Sequence, residues 1–401
     1  MREKLIELYG DDYHNSVNSI FNVGDIVSYG WNLSQYVNDH FNPIMSVSKN
    51  IPYMISIGNH EAEADYFYDY MKYEDFDGPE GERYYYYRLG KVLMISLNSN
   101  TQGATQINWL EDILTESEDD TEIEWIFAFL HHPGRSEIWP DGNTGWVQNQ
   151  VIPMLNQYSK VEMLSYGHSH NYERGAQAEG NLRLMLSGGG GSALDRWGMY
   201  GNQTDYPEIH RAIDHYCYTI VDIDLNENRY NAETYSLGHN NLPLDNILID
   251  SFYRDRNLPV PVTPQALSPT GFSADPVLIA SDPDNQLMSS RFQIQMTGED
   301  WNTPLVDITR DWENIYGDTG APDYNPVDLN EGIILSEYDS NPDGLNPMLE
   351  YEWRVAYRDQ NLQWSQWSES QSFYLVDESS LGDIDQNNNV NVIDIIMLIN
   401  I

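Results

Sequence analysis

Apolar runs of strand length and stretches of helical period alternate along the first 250 residues. Residues 19–24, 51–57 and 124–130 read as buried strands, as does the apolar run that ends at Gly167. Residues 84–89 and 91–97 read as two short strands around a turn at Gly90, and 216–225 and 229–236 as a later pair. Helical spacing marks the opening residues, 32–48 and 106–114. Strands interleaved with helices predict an α/β layered domain. The pattern changes after a linker punctuated by Pro259, Pro261, Pro264 and Pro269. Beyond it only strand alternation remains, clearest at 291–296 and 349–357. Trp and Arg on one strand face there can stack as cation–π pairs.

Four strand-like runs end in the same kind of chemistry. They deliver Gly24-Asp25, Gly58-Asn59-His60-Glu61, His131-His132-Pro133 and Gly167-His168-Ser169-His170. In α/β folds, sites are built just past the carboxyl ends of strands. If residues 168–170 are extended, alternate side chains share a face, and His168 and His170 can point into one site. Imidazole is the commonest metal ligand. A His-x-His pair alone is more often a pair of ordinary loop histidines; the other three strand ends change that. His14, His40, His210, His215 and His239 fall outside these motifs.

Composition narrows the picture. At 401 residues, two or three domains are expected. The 63 acidic residues against 20 basic give a formal charge of −43, which repels polyanions and excludes a nucleic-acid surface. Cys217 is the sole cysteine, so no intrachain disulfide forms, and its strand-like setting suits a core residue. No apolar run reaches the length of a membrane span, and no signal peptide is visible. Gly188 to Gly191 lack the Lys-Ser/Thr of a phosphate-binding loop and read as a tight turn near the site.

The four motifs, in this order, resemble the calcineurin-like metallophosphoesterases over roughly residues 1–250. The run from Gly167 to Arg174 is most similar to the purple acid phosphatase branch. The resemblance implies a four-layer αββα sandwich and two transition metals (Fe, Zn or Mn). One metal takes Asp25, Asn59, His131 and His168. The other takes Asp25 and His170, plus an Asp from a first strand that this chain lacks. His60 implies a phosphate contact and an acid for the leaving oxygen. His132 is either a supporting residue or a bystander, and Arg174 is expected in the supporting shell. The implied activity is hydrolysis of phosphate monoesters by metal-bound hydroxide. Phosphodiesterase or nucleotidase activity on the same scaffold is the alternative, as is an inactive fragment serving as a binding module. Where the purple enzymes carry a Tyr ligand three residues after the bridging Asp, this chain has Ser28, followed by Tyr29. The opening on a helix reads as an N-terminal truncation, with a secreted or cell-surface origin whose signal was lost upstream.

Two further resemblances complete the reading. The all-β region resembles a fibronectin type III-like sandwich. Asp383, Asp385, Asn387, Asn389, Asn391 and Asp394 occupy positions 1, 3, 5, 7, 9 and 12 of a calcium loop. Asn388 replaces the usual Gly, and Asp394 the usual Glu. With the apolar helix that follows, this resembles one repeat of a type I dockerin and implies a cohesin-like partner. The expected domains are 1–255, 256–378 and 379–401.

Overall fold

A computed structural model of the chain describes residues 1–73, 81–274, 276–281, 287–318, 325–340 and 344–376. Its contacts divide into two units. One comprises Met1–Arg256 with Asn314–Leu329, and the other Asn257–Glu313 with the described residues from Asn330 onward. The calcium-loop residues 383–394 lie outside the described residues.

In the first unit, β1 (Ile20–Asn22) and β2 (Tyr53–Ile55) form a parallel pair. β3 (Tyr85–Leu89) and β4 (Val92–Ser96) form the expected hairpin around Gly90. β5 (Trp125–Phe129) and β6 (Val161–Tyr166) are parallel to β4, as is β8 (Arg183–Ser187) beside β6. β7 (Tyr172–Ala176) and β9 (Ile209–Ile213) run antiparallel to each other, and β7 also to β8. The strands Ile315–Asp318 and Pro326–Asp328 then extend this sheet beyond β9 to nine strands. Asn314–Leu329 thus returns to the first unit from within the region assigned above to the sandwich. Its anchors are the Trp197–Tyr316 ring contact at 4.3 Å and hydrogen bonds from Asn314 to Asp205 at 3.1 Å. β10 (Tyr216–Asp224), β11 (Arg229–His239) and β12 (Leu242–Asp255) form an antiparallel meander.

Strand parity distributes the core. Ile126 and Ala128 of β5 face Leu110 and Leu114 of the helix Ala104–Asp119. Trp125, Phe127 and Phe129 face the meander, meeting Tyr230, Ala232 and Phe252. On the far side, Leu5 of the helix Arg2–Tyr9 packs with Tyr13, Val47 and Ile51 against Ile20 and Ile220. The layers therefore run helix, sheet, sheet, helix. Each fully buried large apolar side chain contributes roughly 1.5–3 kcal/mol. Cys217 lies in the inter-sheet core, and burial pushes its thiol up to about 12, which leaves it no role as a nucleophile at neutral pH.

Charges buried between the sheets are paired. Glu162 meets Arg256 at 2.6 Å and Arg254 at 3.3 Å. Asp250 of β12 takes Arg174 Nε at 2.6 Å and the Tyr172 hydroxyl at 2.7 Å.

The second unit holds two sheets. The five-stranded one runs Gly271–Ser273, Gln371–Leu375, Leu349–Asp359, Leu287–Met296, Val306–Asp311, and the three-stranded one Ala266–Ser268, Val277–Ala280, Glu337–Asp339. Leu278, Phe292, Ile294, Trp353, Val355 and Phe373 fill the core between them. Trp–Arg stacking forms, but not along one strand face: Arg354 of Leu349–Asp359 lies 4.2 Å from the ring of Trp301, which stands in a turn, and 4.3 Å from that of Trp367, which lies outside the strands.

The Arg174–Asp250 pair yields a stability prediction. Asp250→Asn strands a buried guanidinium and should cost about 3–5 kcal/mol in urea unfolding. Burial pushes the Asp250 carboxyl up, but Arg174, Arg211 and Tyr172 outweigh it and hold it below the usual carboxylate range. Its stabilisation is therefore fully present above about pH 4. It is lost as pH falls through the lowered folded value, so the mutant's deficit should shrink in acid.

Candidate metal centre

Asp25, Asn59, His131 and His168 follow the carboxyl ends of β1, β2, β5 and β6. The structure brings these four together around one atom. His131 Nε2 lies 3.0 Å from Asp25 Oδ2, 3.1 Å from Asn59 Oδ1 and 3.1 Å from His168 Nδ1. A proton on Nε2 can serve only one of these three acceptors. Four ligands about 2.1 Å from a tetrahedral first-row cation lie about 3.4 Å apart, so the donor set fits one cation after slight expansion.

Backbone carbonyls set the tautomers. Val23 O lies 2.7 Å from His131 Nδ1, Ser28 O 2.8 Å from His60 Nδ1, and Ala193 O 2.7 Å from His170 Nδ1. A carbonyl only accepts, so each Nδ1 carries the hydrogen and each Nε2 is left for the site. This is the support that metal-binding imidazoles require.

The electrostatics couple the same groups: burial pushes the His131 imidazole down, but Asp25 outweighs it and holds it above its usual value. Burial pushes the Asp25 carboxyl up, but the hydrogen bond and charge of His131, with the N–H and ring of His60, hold it at about 2. Burial, then His131 and His132, push His168 down to about 3, the neutral ligand form. Burial and then His131 push His132 down to about 4.

The remaining expected residues divide. His132 joins: among the described residues its ring nitrogen lies within 4.8 Å of those of His131 and His168, and its Nδ1 pairs with Ser99 Oγ at 2.8 Å. His60 Nε2 stands 4.0 Å from Asp25 Oδ2, with its side chain 49% exposed. Residues 168–170 are not extended, because His168 has φ 69° in the left-handed region. The shared-face argument therefore does not apply to His168 and His170. The His170 backbone N–H instead donates to Asp195 Oδ2 at 2.8 Å. Arg174, expected to support the site, is turned into the inter-sheet pair with Asp250, because its neighbour Glu173 occupies the opposite strand face. Ser28 contributes its backbone carbonyl, while Tyr29 is 58% exposed. Gly188 N donates to Asn171 O at 2.9 Å, packing the glycine run against the histidine loop.

Glu61 is the main residue without an assigned role in the motif reading. It is fully buried and accepts N–H groups from Asp25 at 3.0 Å, Ile26 at 2.8 Å and Gly58 at 2.6 Å. The one signal is its place directly after His60. Gly58 is required there, since a Cβ would collide with Asp25.

Residues 3–172 match the model of the family described as calcineurin-like phosphoesterase. An uncharacterized protein of Mycobacterium tuberculosis is 27% identical over 157 residues, covering 33% of this chain and 29% of that protein. Probable inactive purple acid phosphatase 1 of Arabidopsis thaliana is 24% identical over 244 residues, covering 49% and 39%. A purple acid phosphatase from yellow lupin (Lupinus luteus) seeds aligns with a TM-score of 0.49 at 17% identity, covering 63% of this chain and 48% of that one. The chain spans well under half the length of the curated relatives it matches. It carries a calcineurin-like phosphoesterase domain. Purple acid phosphatases stand among its neighbours.

Glu61→Gln replaces an acceptor-only group with an amide that turns two hydrogens toward backbone donors. Metal affinity, measured by competition with a chelator, should fall about 10–100-fold.

Proposed function

We propose that this chain hydrolyses phosphate esters, as a secreted, acid phosphatase-like phosphomonoesterase with a dinuclear centre of iron, zinc or manganese. The observation that carries the reading is the convergence of Asp25 Oδ2, Asn59 Oδ1 and His168 Nδ1 on His131 Nε2 within 3.1 Å. When bound, the cations neutralise phosphoryl oxygens and lower the pKa of water. Asp25, Asn59, His131 and His168 would hold one cation, and Asp25 with His170 would serve the other. His60 holds a proton on Nδ1 against Ser28 O and turns Nε2 outward; in its imidazolium form, protonated on both nitrogens, it would give the Nε2 proton to the departing alkoxide and be left neutral. His132 braces the ligands through Ser99. Among the described residues no helix is long and apolar enough to cross a membrane.

The second unit reads as a fibronectin type III-like sandwich, supported by its two sheets around Trp353. Residues 379–401 read as a dockerin-like segment binding calcium and a cohesin-like partner. Calcium titration of the whole chain should show one site that Asp383→Ala removes; an unchanged isotherm would refute the loop.

His168→Ala should lower hydrolysis of p-nitrophenyl phosphate by more than about 100-fold, beyond the range for a supporting partner. Transition metal retained after dialysis should fall with it, while circular dichroism stays the same. Undiminished turnover would rule out this site.

A further inference from the structure

Beside the cluster stands an aromatic wall. The Trp139 ring lies 4.8 Å from the His168 ring at 32°, and Tyr200 lies alongside Trp139 at 6.2 Å and 28°. Both are half-buried. The two loops that carry them are sewn together. Gln203 Nε2 donates to Ile138 O and Asn202 Nδ2 to Asp141 Oδ1, each at 2.9 Å, and Tyr206 N donates to Glu137 Oε1 at 2.8 Å.

The wall is also anchored from beneath. Buried Glu173 accepts the Ser136 hydroxyl at 2.8 Å and the N–H groups of Glu137 and Ile138 at 3.0 and 3.2 Å. Gly142 lets the indole close on the histidine, since a Cβ there would stand 2.9 Å from Trp139 and 3.0 Å from His168. The Tyr200 hydroxyl donates to Asp195 Oδ1 at 2.6 Å, and the other oxygen of Asp195 holds the His170 N–H. The wall is thus tied to both histidines of the loop.

A phosphoryl group needs cations and hydrogen-bond donors and gains nothing from a flat apolar face. A rigid, partly open pair of rings at the edge of the cluster suits the alcohol side of the ester. Pre-ordering the rings also lowers the entropy cost of binding. The geometry points to Trp139 and Tyr200 as a specificity wall for phosphate esters whose leaving group carries a flat aromatic ring. This rests on the phosphoester reading above.

The test is binding of phenylphosphonate and cyclohexylphosphonate to the manganese-loaded whole chain by titration calorimetry. The two probes share a carbon count and differ in the flat ring. The native protein should prefer phenylphosphonate about tenfold, in the range found for one base stacked on one aromatic side chain. Trp139→Leu and, independently, Tyr200→Leu should bring the ratio toward one, and Trp139→Phe should restore most of it. Equal affinities in the native protein, or an unchanged ratio in both leucine variants, would overturn the wall and leave the phosphoester reading standing. Failure to bind either phosphonate would sink both.

Discussion

Glu61 ties together the ends of the two parallel strands that bring Asp25 and Asn59 to the site. Three backbone N–H groups converge on its carboxylate, two from the turn after β1 and one from the turn after β2. Hydrogen bonds to a charged group contribute about 1.5–3 kcal/mol each. Against them, burial and then the nearby charge of Asp25 push the Glu61 carboxyl up. The turn therefore gathers negative charge in a dry place, and its backbone hydrogen bonds offset only part of the cost. A cation beside Asp25 would offset the rest, and would couple loop order to metal binding through this one side chain.

Glu173 repeats the device on the other side of the site. It accepts from Ser136, Glu137, Ile138 and Asn171, and so fixes the loop that places Trp139 over His168. A second buried carboxyl, Glu137, lies against it. Burial and then Glu173 push Glu137 up to about 10, which favours its neutral form beside Glu173. Its Oε1 is left to accept from Tyr206 N, which joins the second loop to the first. In both places a buried carboxyl group shapes the backbone that presents the clustered side chains.

This division explains what could be read from the chain. Asp25, Asn59, His131 and His168 were legible because buried strands leave continuous apolar runs and ligand-type residues stand directly after them. The helix Ala104–Asp119 and the β3–β4 hairpin were legible from period and turn residues. Glu61, Glu173 and Asp195 were not, because their partners lie far off in sequence or are backbone groups with no residue identity. Trp139 and Tyr200 sit in irregular loops, where no periodicity assigns a face. The return of Asn314–Leu329 depends on pairing with β9 across about 100 residues of chain, a tertiary choice that local pattern does not carry.

Arg174 and His168 mark two ways in which a motif can mislead. Arg174 stands on a strand, where adjacent side chains face opposite sides. With Glu173 committed to the loop that bears Trp139, Arg174 must point between the sheets, and Asp250 meets it there. His168 stands just past a strand, where the two-residue period no longer applies. Asp25 and His168 adopt φ 56° and 69°, a region that Asp and His tolerate better than most residues. With the chain reversed at both positions, the Asp25 carboxylate and the His168 imidazole each meet His131 Nε2, at 3.0 and 3.1 Å. The same reversal sends the His170 backbone toward Asp195. The two histidines of the motif are thereby held by different anchors, His168 beside His131 and His170 at Asp195 and Ala193.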